Sequence, residues 1–211
     1  MKILPAFAMA REGIAYLLGL CIASIFGFLF FLPLGLGFLA LAGFIAFFFR
    51  DPPRSSPADP DKIYSPADGT VQEITVEQNT ILNGEVFVVN IFLSIWDVHI
   101  NRSPLSGEVM FTKHTPGNFR PAFLKSALQA NENNLIGIKN DRLTLLVRQV
   151  AGLIARRIVC YVQPRQSILQ GEKIGLIQFG SAVKLYMPKI VKLQVLVGDK
   201  VRAGETAIGV F

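Results

Sequence analysis

The chain is poor in the residues that most often announce a site. It has only two cysteines and two histidines in 211 residues. Two cysteines exclude a disulfide framework. Cys21 falls in an apolar run and Cys160 in a predicted strand, and both read as buried thiols of a reducing compartment. Neither has neighbours at metal-ligand spacing, so no metal is expected. Charge is scarce as well: 17% of residues are charged and 51% are hydrophobic, apolar for a soluble domain. The formal net charge is +6. Its basic residues are scattered and carry no RNA-binding or helix-turn-helix signature, which argues against nucleic acid and for an anionic bilayer surface.

The longest absence is of charge itself. No charged residue occurs from Gly13 to Phe49. That stretch is too long for one span of about 20 residues and suits two short ones. Pro33 and the Gly35/Gly37 pair mark the expected turn. Arg11 lies at one end, Arg50 and Arg54 at the other. A hairpin puts both ends on one side, cytoplasmic by the positive-inside rule. A signal peptide fits less well, because its apolar core is shorter. The second half, Leu34 to Phe49, would reach only about 24 Å at 1.5 Å per residue, so dipping into one leaflet stays open beside crossing.

Beyond residue 50 the pattern changes. Residues 1–50 read as the membrane hairpin, 51–62 as a proline-rich linker, and 63–211 as a β-rich domain. Strands are expected over Thr70–Val76, Glu85–Leu93, Leu143–Val150, Leu153–Val162 and Ala182–Met187. A short helix is expected over Arg120–Gln129, with Asn118 as N-cap and Pro121 in the first turn. The turn Val197-Gly198-Asp199-Lys200-Val201-Arg202-Ala203-Gly204-Glu205 resembles that of biotinyl and lipoyl carrier domains, and Gln163 to Leu176 echoes it. The fold class is therefore mainly β: a barrel-sandwich-hybrid-like domain with a short helix, preceded by the helical hairpin.

Three residues together supply a hydroxyl, an imidazole and a carboxylate, the parts that activate a serine. Ser181 follows Gly180 in the β-like run Ile177 to Pro188. Glycine leaves the Gly180 carbonyl unshielded, so the Ser181 hydroxyl can attack it and turn the amide into an ester. Such attack needs a base for the serine proton. His99, in a polar loop after an apolar strand, is the candidate base. Asp68, in Ser65-Pro66-Ala67-Asp68-Gly69, would fix the imidazole tautomer; Asp97 is the alternative.

The ordered segments Ser65–Gly69, Asp97–Pro104, Gly107–Val109, Pro116–Phe119, Asn131–Asn133, Phe179–Ser181 and Tyr186–Pro188 are similar to the phosphatidylserine decarboxylase family in its short form, which includes archaetidylserine decarboxylase-like members. The resemblance runs from about Arg50 to the C-terminus. It implies a proenzyme that cleaves itself between Gly180 and Ser181, with Asp68, His99 and Ser181 as the self-processing set. Ser181 would become a covalent pyruvoyl group, the cofactor. That group would form a Schiff base with the serine headgroup of phosphatidylserine, releasing carbon dioxide and phosphatidylethanolamine. The product would be a heterodimer of residues 1–180 and 181–211, with higher oligomers open, expected on the cytoplasmic side of the cell (inner) membrane. Arg50, Arg54, Arg102 and Lys113 are candidates to meet the lipid phosphate. Long-form members carry a second histidine three positions after the first; here Arg102 stands there and His114 is a weak substitute. The resemblance leaves ester and ether lipids equally open. Two other readings compete: a membrane-tethered lipoyl- or biotinyl-like carrier, which wants a lysine at a hairpin tip and finds only Met187-Pro188-Lys189, and a serine hydrolase, which wants a Gly-x-Ser-x-Gly elbow.

Overall fold

The computed structural model describes residues 8–55, 59–118, 130–152, 157–178 and 181–211. The chain divides into two units, residues 1–53 and 54–211.

The first unit is a pair of helices, α1 (Arg11–Phe30) and α2 (Leu32–Phe48). The break is at Phe31, which is extended at φ −160°. Pro33 sits in the first turn of α2, where its fixed φ fits and its missing N–H is no loss. Gly35 and Gly37 belong to α2 rather than to the turn. Gly35 serves packing instead: a Cβ on Gly27 would lie 2.8 Å from the Gly35 nitrogen. The backbones meet there, and the Ser24 hydroxyl donates to the Gly35 carbonyl at 2.8 Å. Small residues and one hydroxyl are what close helix pairs in lipid require. Outward side chains such as Leu18, Ile25, Phe26 and Leu29 are exposed. By length and composition α1 can cross a membrane; α2, at 17 residues, is shorter. The open end is tied by Ala10 N–H to Phe49 O and Asp51 N–H to Ala8 O.

The second unit is mainly β. Its strands are β1 (Lys62–Tyr64), β2 (Gly69–Asn79), β3 (Gly84–Leu93), β4 (Ile100–Arg102), β5 (Gly107–Thr115), β6 (Asn133–Lys139), β7 (Thr144–Ala151), β8 (Ile158–Cys160), β9 (Ser167–Ile168), β10 (Lys173–Ile177), β11 (Ser181–Pro188), β12 (Lys192–Leu193), β13 (Lys200–Val201) and β14 (Ala207–Val210). Among the described residues they form a curled sheet in the order β13-β2-β3-β11-β7-β6-β5-β9, with two three-stranded sheets, β1-β14-β12 and β4-β10-β8.

Four of the five expected strands recur with ends moved by three residues at most. Of Leu153–Val162, only Ile158–Cys160 is strand, and residues 153–156 lie outside the described residues. The expected helix over Arg120–Gln129 also lies outside them, while Asn118 bridges to Asn131. Strands β5 and β6 were not expected. The first is largely exposed and the second opens with two asparagines. Cross-strand pairing holds them: Phe111 lies over Gly137, where a Cβ would come within 2.5 Å of its ring. Cys160 departs from expectation too. It is exposed, because β8 is an edge strand, and Cys21 is only half-buried. The expected linker reaches further into the fold than predicted, since Lys62 pairs with Val210 in β1–β14.

The core is built in layers across the large sheet, because paired residues on neighbouring strands share a face. Val89, Leu185, Val147 and Ile136 form one fully buried row over β3, β11, β7 and β6. Each such side chain contributes about 1.5–3 kcal/mol by leaving water. The next row is Ile91, Val183, Gln149 and Asn134. Here two amides replace aliphatics, and they satisfy each other: Asn134 Nδ2 donates to Gln149 Oε1 at 2.9 Å, and Gln149 Nε2 to Asn101 Oδ1 at 2.8 Å. The row after that is Leu93, Ser181 and Ala151. The core thus grades from aliphatic to amide to hydroxyl toward one end of the sheet.

Candidate active site

Ser181 is the first residue of β11, held by β3 on one side and β7 on the other. By strand alternation its side chain shares the interior face of Val183 and Leu185. It is fully buried, and among the described residues its Oγ has no hydrogen-bond partner. A buried hydroxyl left unpaired costs about 1–3 kcal/mol, so folding alone gives no reason to place one there.

His99 reaches the same end of the domain by another route. It immediately precedes β4, and its carbonyl accepts from Ile177 N–H at 3.2 Å, on the strand that leads toward residue 181. The ring is fully buried. Nδ1 lies 2.9 Å from the Asp97 carbonyl oxygen. A carbonyl can only accept, so Nδ1 carries a proton, and in the neutral ring Nε2 is then the basic nitrogen. The Asp97 carboxylate is occupied elsewhere: it accepts from Ser94 N–H at 2.8 Å and closes the turn between β3 and β4.

Asp68 is placed by the turn before β2. Ser65 Oγ donates to the Ala67 carbonyl at 2.6 Å. Gly69 then takes φ +156°, where a Cβ would strike the Phe92 carbonyl. Only glycine lets β2 start this close to β3. Phe92 in turn pairs with Ala182, so β3 alone separates the start of β2 from that of β11. At about 4.8 Å per strand the two backbones stand roughly 10 Å apart. The Asp68 carboxylate is nearly buried. Oδ1 accepts from Ala203 N–H at 2.8 Å, and Oδ2 meets Arg54 Nη2 at 2.5 Å. Burial pushes its pKa up and the Asp97 charge adds a little; the Ala203 N–H and the Arg54 charge oppose them.

The chain matches the phosphatidylserine decarboxylase family over residues 41–209. It belongs to that family. Its relatives include phosphatidylserine decarboxylase proenzymes of Carboxydothermus hydrogenoformans, 44% identical over 95% of each chain, and of Desulfotalea psychrophila, 41% identical over 97% of each. That of Syntrophus aciditrophicus is 38% identical over 96% of this chain and 97% of its own. Membership does not favour the carrier reading. In keeping with that, the carrier-like turn at the C-terminus lends Ala203 N–H to Asp68.

Several sequence expectations look different in place. The imidazole Nδ1 expected to meet a carboxylate meets a backbone carbonyl instead. Arg54, expected as a surface cation for lipid phosphate, is 8% exposed and paired with Asp68 and Glu205. Arg102 donates to the Gly171 carbonyl at 2.9 Å. His114 is exposed on β5, three strands or about 14 Å from β11, and faces Glu132 at 3.8 Å. Gly180 lies outside the described residues. Among the described residues no three His, Cys, Asp or Glu side chains gather as metal ligands would. Sequence reasoning missed Glu205 and the pairing of Arg54 with Asp68. Arg54 and Glu205 lie 14 and 137 positions from Asp68, and the second is brought near by the pairing of β13 with β2 and by the bonds of Ser65 to Gly204 and Thr206.

Proposed function

We propose that this chain is a phosphatidylserine decarboxylase proenzyme that cleaves itself between Gly180 and Ser181. The observation that carries the reading is the buried Ser181 hydroxyl at the head of a central strand, without a partner among the described residues. A polar atom stored without a partner is explained if it is a reactant.

The chemistry balances within the chain. Ser181 Oγ adds to the Gly180 carbonyl carbon, and its proton passes to His99 Nε2. The Gly180–Ser181 C–N bond breaks to leave an ester, and the amine takes a proton. Loss of the Ser181 α-proton then expels the Gly180 carboxylate by breaking the Cβ–Oγ bond. One water enters the remaining enamine, ammonia leaves, and residue 181 is a pyruvoyl group. Asp68 holds the cationic intermediate by its charge.

The residues around Ser181 suit that product. The group is small and neutral, and the wall offers Ala151, Leu93 and the amide row. It supplies a keto carbon for the substrate amine and an electron sink for the departing carboxylate, work that protein side chains do poorly. His99 is buried at the same end of the domain, where it can move protons, and burial of both residues keeps bulk water out.

Cleavage need not separate the products. Residues 181–188 pair with β3 along their whole length and with β7 over six residues, and β14 pairs with β1. The small chain, 181–211, is therefore part of the large chain's sheet, which supports a heterodimer of 1–180 and 181–211. On this reading residues 1–50 are the membrane tether and 63–211 the catalytic domain. Arg11, Arg50 and Arg54 argue for the cytoplasmic face of the inner membrane.

The assay is release of labelled carbon dioxide from carboxyl-labelled phosphatidylserine in mixed vesicles, using the full chain in detergent or membranes. Release with phosphatidylethanolamine as the co-product is expected. Processed protein that leaves phosphatidylserine intact would contradict the substrate assignment.

A further inference from the structure

Arg54 is the first residue of the second unit, and its guanidinium is almost wholly buried between two carboxylates. Nη2 contacts Asp68 Oδ2 at 2.5 Å, and Nη1 contacts Glu205 Oε2 at 2.9 Å. The planar fork is the only common side chain that serves two carboxylates at once with fixed geometry. Glu205 stands in the same turn as Ala203, whose N–H holds the other oxygen of Asp68. One turn of the C-terminal segment therefore grips Asp68 twice, once directly and once through Arg54. A surface ion pair has no need of such an arrangement, and a burial of this depth is hard to explain by solubility.

We propose that Arg54, anchored by Glu205, is a positioning residue for self-cleavage: it fixes the Asp68 carboxylate and supplies its counter-charge. The inference rests on the reading of Asp68 as a member of the self-processing set. Arg54 touches no reacting atom; it acts through Asp68. Among the described residues, the charged groups around Asp68 are Arg54 from the segment before β1, Glu205 behind it and Asp97 from the β3–β4 turn. Arg102 of β4 passes near the Ala203–Glu205 turn, with its Cδ 3.4 Å from where a Gly204 Cβ would stand. His99 follows Asp97 by two residues. Burial and Asp97 favour the protonated carboxyl, and Arg54 opposes both.

The sign of the effect follows. Arg54→Gln removes the opposing charge, so Asp68 protonates at higher pH and the acid limb of the self-cleavage rate moves up, by about one pH unit or more. Glu205→Gln keeps an oxygen that accepts from Arg54 Nη1, so the anchor stays, but it removes a negative charge beside the pair, so its limb moves down by less. Arg54→Lys restores the charge without the fork and returns the limb most of the way. A merely structural role slows cleavage equally at every pH and moves neither limb.

The experiment is cell-free synthesis of the full chain, arrest of translation, transfer into buffers from acid to mildly alkaline pH, and quantitation of precursor and fragments over time. Opposite displacements for Arg54→Gln and Glu205→Gln are the expected result. Limbs that coincide with the unsubstituted chain's, or that move in the same direction, overturn the proposal. If Arg54→Gln fails to fold, Glu205→Gln decides alone, with a downward shift supporting and no shift overturning. Asp68→Asn run alongside separates the two levels. Normal cleavage there removes the role of Asp68 itself, whereas slow cleavage there with an unmoved Arg54→Gln limb removes only the role of Arg54.

Discussion

Ser181→Ala is expected to give a single chain of 211 residues with no decarboxylase activity above background. Alanine lacks the oxygen that must attack the Gly180 carbonyl, so no ester forms and residue 181 cannot become a keto group. The loss is total rather than partial, because the same atom is needed for maturation and its residue for turnover. Folding should not suffer. The hydroxyl being removed is buried without a partner, and deleting such a group relieves about 1–3 kcal/mol of desolvation. Thermal unfolding of the variant should therefore come at or above that of any slow-maturing precursor. An active Ser181→Ala protein, or one cleaved at residue 180, would remove the basis of the proposed chemistry.

The second large effect is at His99. His99→Gln should slow self-cleavage by about 10²–10⁴-fold, the usual contribution of a positioned base. Glutamine has nearly the size of histidine, and its amide can still donate to the Asp97 carbonyl that now holds Nδ1. What it lacks is a basic nitrogen. Neither Arg102 nor His114 replaces it readily. Arg102 lies three positions on, and a guanidinium does not act as a base at neutral pH. Its Nη1 already donates to the Gly171 carbonyl. His114 is exposed three strands away. Pulse-labelled precursor should persist in His99→Gln for many times its lifetime in the unsubstituted chain. Maturation at the ordinary rate would place the base elsewhere.

Much of this was legible in the sequence, for reasons that differ by element. The helix pair announces itself because lipid demands an uninterrupted apolar run, and Gly13 to Phe49 has one. Strands β3 and β11 read clearly because both lie at the centre of the sheet and are apolar along their length. Strands β5 and β6 did not, because β5 is largely exposed and polar, β6 opens with two asparagines and carries a mid-strand glycine, and both are held by pairing that local pattern does not encode. Ser181, His99 and Asp68 were visible as residue types in ordered motifs. Their surroundings were not. The carbonyl behind His99 is backbone, which sequence cannot label as an acceptor. The Arg54–Asp68–Glu205 cluster joins a segment before β1, the start of β2 and a C-terminal turn. Arg54 even invited the opposite reading, a surface cation for lipid phosphate, because burial is a property of the fold.

The central claim is that Ser181 is consumed in making the enzyme, and the intact mass of the active protein tests it most directly. Purified under denaturing conditions, active material should resolve into two components. One is Met1–Gly180 with a free carboxylate. The other is residues 181–211, lighter by one ammonia than the peptide beginning at serine and blocked to Edman degradation. A single unbroken chain in fully active material would contradict the account.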